Sequence, residues 1–351
     1  MRRDLHMNLY DGITGIAYGG PIPGASAQNR WAELATANSK TRNRSWREHS
    51  MTVKMRTCAG PVDFPAISDF LYGLYRPNNR DGNWFQPIWE YAYTHPWFDE
   101  ESVPRIGIWE DAGTMVGVTL YELRLGEAFF QIHPAYVHLT PEMVAYAEQH
   151  LTGTTDEGKR YLKAYVNDFD TAFEHVVRSR GYEKEPGSHR PMSQFVIPDR
   201  FPPIRLPDGF RLKSLADDND LAKIDRVLWR GFNHPGEPPA DGSKGRKKMQ
   251  SGPHFRNDLT IVVEAPNGAF VAFGGLWFDP VNRFGYVEPV ATDPDYRRMG
   301  LGTAAVLEGI RRCGELGATV AYVGTDKPFY LAMGFEKLFT LNCWIRYFSS
   351  D

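Results

Sequence analysis

The sequence predicts two α/β (α+β) domains in tandem, and three observations carry that expectation. The chain has 351 residues, more than one typical hydrophobic core supports. The same order of apolar periodicities runs through it twice. Between the two passes lies Ile197-Pro-Asp-Arg-Phe-Pro-Pro-Ile-Arg-Leu-Pro207, a proline-rich stretch suited to a linker.

Residues 1 to about 50 stand apart. Gly19-Gly20-Pro21 and clusters of Ser, Asn and Arg give them little periodicity, so they would struggle to offset their own ordering entropy. The expectation is a disordered extension, or upstream sequence read from an early start. In the first pass, Pro65 to Tyr75 and Pro87 to Tyr93 have helical apolar spacing. Strand-like runs follow at Arg105–Trp109, Met115–Leu123 and Ala128–Ile132, the first two joined by the hairpin turn Glu110-Asp-Ala-Gly113. Pro141 opens a helix, where its missing N–H costs nothing. A strand at Tyr161–Val166 and a helix at Thr171–Arg180 complete the pass, stopped by Gly181-Tyr182.

The second pass repeats the course. A strand is expected at Phe210–Leu215, a helix at Asn219–Gly231, and strands at Leu259–Val263, Ala269–Phe278 and Phe284–Ala291. A long helix from Gly302 to Leu316, a strand at Thr319–Val323 and a short helix at Pro328–Met333 follow. His133-Pro-Ala-Tyr136 matches Asp293-Pro-Asp-Tyr296, and Arg180-Gly-Tyr182 matches Met333-Gly-Phe335. A repeat of about 150 residues exceeds any solenoid unit and reads as duplicated domains.

Composition removes several classes of function. Forty Lys and Arg against 43 Asp and Glu leave a net charge of −3, so no global charge favours nucleic acid or an anionic membrane. Three cysteines, Cys58, Cys313 and Cys343, are too few and too scattered for a disulfide framework or a zinc site, which suits a reducing cytoplasm. His234 and His254 have no metal-ligand spacing, and no metal is expected. No apolar run approaches the roughly 20 residues of a membrane helix. The N-terminus lacks a signal-peptide core.

The strongest chemical signal is Pro289-Val-Ala-Thr-Asp-Pro-Asp-Tyr-Arg-Arg-Met-Gly-Leu-Gly-Thr303. A strand enters, the turn Arg297-Arg298-Met299-Gly300-Leu301-Gly302 follows, and an amphipathic helix leaves through Thr303. Two glycines let backbone N–H groups converge on an anion, and the helix start adds free N–H groups and the positive end of its dipole. A pyrophosphate fits. A dinucleotide fingerprint needs three glycines in another spacing, and a P-loop needs Gly-Lys-Ser/Thr.

From about Leu259 onward the sequence resembles the GNAT superfamily of N-acetyltransferases. The resemblance rests on Arg297-x-x-Gly300-x-Gly302, the strand before it, and Phe329-Tyr-Leu-Ala-Met-Gly-Phe335. It implies a mixed, mostly antiparallel central sheet flanked by helices in each domain. It also implies acetyl-CoA as donor, with the amides from Arg297 to Thr303 on the pyrophosphate and Val290, Ala291 and Thr292 on the pantetheine arm. Glu288 would be the base, Tyr330 the acid that protonates the leaving thiolate, and an amide near Val290 or Ala291 the oxyanion donor. Pro289, unable to donate to a sheet, belongs at a bulge or splayed edge. The connection Gly324-Thr-Asp-Lys-Pro-Phe329 is shorter than in many relatives, which weakens any cofactor role for Thr325 or Asp326.

The first half lacks the loop. After Tyr136 comes Val137-His-Leu-Thr-Pro141, so residues 51–200 read as a degenerate GNAT-like copy that shapes the acceptor pocket or a homodimer surface. Residues 201–351 read as the acetyl-CoA-binding copy, as in tandem-GNAT proteins. The function expected is acetyl transfer to a primary amine of a small molecule by direct attack in a ternary complex. The alternative is a non-catalytic acyl-CoA-binding sensor or scaffold. Trp84, Phe85, Trp89, Tyr91, Tyr93, Trp97 and Phe98 suit core packing better than an aromatic acceptor pocket. Lys244-Gly-Arg-Lys-Lys248 reads as a solvated basic loop rather than a phosphate or nucleic-acid contact.

Overall fold

A computed structural model describes residues 53–77, 83–239 and 242–349; the expectation for residues 1–50 lies outside them. The first pass comprises β1 (Val53–Thr57), α1 (Phe64–Leu74), α2 (Gln86–Thr94), β2 (Gly107–Asp111), β3 (Thr114–Leu120), β4 (Glu127–Ile132), α3 (Thr140–His150), β5 (Gly153–Thr154), β6 (Arg160–Asn167), α4 (Thr171–Ser179) and β7 (Glu183–Val196). The second comprises β8 (Arg211–Ser214), α5 (Leu221–Gly231), α6 (Gly242–Met249), β9 (Ile261–Glu264), β10 (Phe270–Asp279), β11 (Phe284–Thr292), α7 (Leu301–Glu315), β12 (Val320–Val323), α8 (Pro328–Leu331) and β13 (Glu336–Phe348).

Each element expected from periodicity is present close to its expected bounds. Strands β1, β5, β7 and β13 were not anticipated, and the basic run at Lys244–Lys248 is helix α6 rather than a loop. Arg246 holds that helix against α5 through Asp225 at 2.8 Å.

The chain forms two compact units. Of the described residues, the N-terminal unit holds 53–77, 83–93, Trp97–His189 and 340–349; the C-terminal unit holds Thr94–Pro96, 190–239 and 242–339. The boundary therefore differs from the expected split at 200/201, because the ends of β7 and β13 fall with the opposite half. In the N-terminal unit the strand order is β1-β2-β3-β4-β6-β13, with β5 on β6. Strands β4 and β6 run parallel; β13 joins β6 antiparallel, with Leu341–Phe348 opposite Arg160–Asn167. In the C-terminal unit the order is β7-β12-β11-β10-β9-β8, and only β11 and β12 run parallel.

The two sheets share a local detail that composition alone does not dictate. At the end of β4, His133 N–H donates to Val116 O (2.9 Å), as Asp293 N–H does to Val271 O (2.9 Å) at the end of β11. Each strand then enters a 3₁₀ turn, Pro134–Leu139 or Pro294–Tyr296. The matched His133-Pro and Asp293-Pro motifs thus occupy one structural position twice.

The cores follow from burial pattern. Helix α7 buries Leu301, Ala304, Ala305, Val306, Ile310 and Cys313, an i, i+3, i+4 stripe that covers β9, β10 and β11. Fully burying a residue such as Ile310 contributes about 1.5–3 kcal/mol. In the N-terminal unit Trp84, Phe85, Trp89, Tyr91 and Phe98 are buried, whereas Trp97 is 54% exposed. Trp89 packs on Phe64 (5.7 Å) and Tyr93 (5.2 Å). This aromatic cluster is core.

Candidate active site

The parallel pair β11/β12 sets the geometry of the site. Its pairing covers only Phe284–Tyr286 against Val320–Tyr322. Beyond that point β12 ends at Val323, while β11 continues to Thr292 along β10. The strands therefore fork. The register of β10 on β11 shifts between Gly274 and Leu276, and Glu288-Pro289, a cis peptide, sits in the irregularity where proline's missing N–H is tolerated. Gly275 faces this bulge. A Cβ there would lie 2.5 Å from Glu288 O and 2.7 Å from Pro289 Cδ. Gly275→Ala is expected to destabilise the fold by about 1–3 kcal/mol, read as a lowered denaturation midpoint; an unchanged midpoint would mean that the bulge relaxes freely.

Past the bulge the ladder decides which amides face the fork. Asp293 N–H bonds across to β10, so by the two-residue alternation Ala291, opposite Phe273, does the same. Val290 and Thr292 turn their amides the other way, into the open side. Of the two amides considered for the oxyanion, this leaves Val290.

The turn that follows is shaped by its glycines for two separate reasons. Gly300 has φ 79° and caps α7 in the left-handed region, a conformation costly to residues with a Cβ. Gly302 is helical, but a Cβ would lie 2.7 Å from Thr292 Oγ1 and 3.4 Å from Phe329 Cζ. Arg298 also has positive φ, 65°. The first turn of α7 opens here, with its unpaired N–H groups and positive dipole end.

Arg297 is a strap. Its guanidinium donates to Thr292 O (3.2 Å), Gly231 O (2.8 Å) and Asn233 Oδ1 (2.9 Å), tying the end of α5 to the end of β11. Asp293, 1% exposed, anchors the same corner. Burial opposes its charge, yet Arg230 (2.6 and 3.0 Å) and the Asp295 amide hold its pKa below the usual carboxylate range.

These parts enclose a cavity of about 840 Å³, lined by Glu288 to Thr292, Arg297, Arg298, Gly300 to Thr303, Tyr330 and the Gly231–Asn233 corner. Every expected site residue except Met299 lies on its wall; Met299 is exposed on the loop. Glu288 receives a hydrogen bond from Tyr286 Oη at 3.0 Å, and its carbonyl accepts from Trp277 Nε1 at 3.0 Å. Sequence reading missed both partners. Tyr286 was findable, since residues two apart on a strand share a face. Burial pushes the Tyr330 phenol well above its ordinary value, and the Glu288 carboxylate raises it further, so the two groups sense each other across the fork. Thr325, which lies on the cavity wall, accepts at Oγ1 from Lys327 N–H, and Asp326 pairs with Lys337 of β13 at 3.1 Å. Among the described residues no group of three His, Cys, Asp or Glu could hold a metal ion, and no helix is long and apolar enough to cross a membrane.

Residues 221–335 match the acetyltransferase (GNAT) family. The C-terminal unit carries a GNAT acyltransferase domain. Solved structures extend the likeness of fold beyond this GNAT domain. A GCN5-related N-acetyltransferase from Sphaerobacter thermophilus is similar with a TM-score of 0.53 and 14% identity, over 84% of this chain and 96% of that one. A tandem GNAT protein from the clavulanic acid biosynthesis pathway gives 0.56 and 13%, over 85% and 100%. N-myristoyltransferase of Saccharomyces cerevisiae, solved with myristoyl-CoA and inhibitors, gives 0.51 and 12%, over 85% and 81%. No curated protein matches the sequence. Over both units the fold is thus similar to that of a tandem GNAT protein.

Proposed function

We propose that the GNAT domain transfers an acyl group, acetyl in the first instance, from acyl-CoA to a primary amine of a small molecule in the cytoplasm. The observation that carries this reading is the forked strand pair, which puts the anion-binding turn, the Val290 amide, Glu288 and Tyr330 around one cavity. In this reading the loop amides from Arg297 to Thr303 take the pyrophosphate, with Arg298 supplying charge. Val290, Ala291 and Thr292 line the pantetheine arm, and the outward amides are those of Val290 and Thr292.

An alkylamine has a pKa near ~10.4 and is mostly protonated at neutral pH. Glu288, directly or through water, takes that proton and passes it to solvent. The free amine then attacks the thioester carbon, forming the C–N bond while the Val290 N–H receives the oxyanion. The nitrogen, now cationic, gives up its extra proton to the emptied Glu288 carboxylate. The C–S bond breaks, and the thiolate takes the Tyr330 proton; solvent restores the phenol. Direct attack is favoured over a covalent acyl-enzyme by the state of the cysteines. All three are buried, none lines the cavity, and burial pushes Cys313 and Cys343 up to about 12, so no ready thiolate is at hand.

The test is thiol release from acetyl-CoA against a panel of primary amines. Wild-type protein is expected to turn over at least one, and Glu288→Gln to lose on the order of a hundredfold in kcat together with the acid limb of the pH profile. An unchanged profile removes Glu288 from the mechanism. Tight acetyl-CoA binding with no turnover on any amine would instead support a non-catalytic acyl-CoA sensor or scaffold.

A further inference from the structure

The N-terminal copy has a strand fork of its own. Strands β4 and β6 pair only at Glu127–Ala128 with Lys163–Ala164, then part as β11 and β12 do. The end of β4, however, is not left open. The Asn83 side chain accepts from Ile132 N–H at 2.8 Å and donates to Ile132 O at 3.2 Å, pairing both backbone groups of the position that matches Thr292. Trp84 N–H donates to Gln131 Oε1 at 2.5 Å. The chain itself thus occupies the edge a pantetheine arm would need. No glycine nest follows, because Val137 and Leu139 stand in the turn.

What remains is a smaller cavity of about 200 Å³, roughly seven waters' worth of liquid. Its walls are aromatic: Phe129 stacks on Tyr165 (4.6 Å, 3°) and contacts Trp84 (4.6 Å), and Phe130 meets Phe173 edge-on at 5.1 Å. No Lys, Arg or His lines it, so it offers nothing to a phosphate. Asp170, the one carboxylate present, caps α4 by accepting from Phe173 N–H (2.8 Å).

One polar group is placed for a ligand. Gln131 is 1% exposed and lies on the cavity wall. Its oxygen must face Trp84 N–H, which fixes the amide orientation and turns the NH₂ group away. That NH₂ has no hydrogen-bond partner among the described residues. A ligand carbonyl or ether oxygen would give this donor a partner; the buried atom without a partner on the same wall, among the described residues, is Asn167 Oδ1. At the rim, Val137 (61% exposed) and Phe169 (39%) keep apolar surface in solvent.

We propose that this fork is a binding site for a small neutral molecule with an apolar body and a single hydrogen-bond acceptor, and that it is closed to acyl-CoA. The proposal is independent of acyl transfer by the C-terminal unit and goes beyond it. Full-length protein is titrated with acetophenone and with ethylbenzene, which has a similar shape but no acceptor. Acetophenone is expected to bind saturably at one site and about tenfold more tightly than ethylbenzene, the scale of one buried hydrogen bond. Val137→Trp, changed at the exposed rim and so compatible with folding, is expected to lose that binding, and coenzyme A is expected not to displace it. The proposal is overturned by any of four results: no saturable acetophenone binding, equal affinity for the two probes, full binding to the Val137→Trp protein, or displacement by coenzyme A. Absence of any acetyltransferase turnover would overturn the catalytic reading alone.

Discussion

Gly302→Asp is expected to weaken acyl-CoA binding by roughly a hundredfold, about 2.8 kcal/mol at 1.4 kcal/mol per tenfold. Two effects combine. The new side chain projects at the contact where a Cβ already meets Thr292 Oγ1 and Phe329, on the cavity side of α7. Its carboxylate also sets a negative charge where the helix dipole and loop amides would receive phosphate. Stability is expected to fall as well, by about 1–3 kcal/mol, because the new Cβ must displace the Thr292 hydroxyl at a buried position. Calorimetric titration with coenzyme A, beside a melting curve, separates binding from folding. Wild-type affinity in this variant would take the turn out of the binding site.

Tyr330→Phe is expected to lower kcat by on the order of a hundredfold while leaving KM and the melting temperature near wild type. The ring is held edge-on by Phe329 (4.9 Å) and Phe335 (5.7 Å), and phenylalanine preserves those contacts. Only the hydroxyl is lost. Burial beside Glu288 keeps the phenol protonated at neutral pH, as a proton donor to a leaving thiolate requires. An acyl donor with a more acidic thiol needs that proton less, so the deficit should shrink with such a donor. An equal deficit with both donors would assign Tyr330 to packing instead.

Much of the second fork was legible because local rules dictate it. Gly300 and Gly302 are demanded by a left-handed φ and by the approach of Thr292, and both requirements fall on consecutive turns of one chain segment. Pro289 announced an irregular strand. The Ala291 amide was less legible: whether it faces the fork depends on the ladder with β10, a partner distant in sequence. The same limit hid Arg297's role as a strap to Gly231 and Asn233. Helix α6 escaped because its sequence, Gly-Ser-Lys-Gly-Arg-Lys-Lys-Met, has no apolar stripe; its Lys and Arg are sound helix formers, but what anchors it is the pairing of Arg246 with Asp225. Strand β13 did carry aromatic and apolar residues at Phe339-Thr-Leu-Asn-Cys-Trp344. The repeat ended at Phe335, and nothing local says that these residues pair with β6.

That pairing has a consequence for how the protein is made. A ribosome delivers residues 190–339 of the C-terminal unit before it delivers Leu341–Phe348, the strand that completes the N-terminal sheet. During synthesis β6 therefore presents an unpaired edge for the time it takes to translate about half the chain. Exposed edges are where strands recruit wrong partners. The half made first is the half finished last.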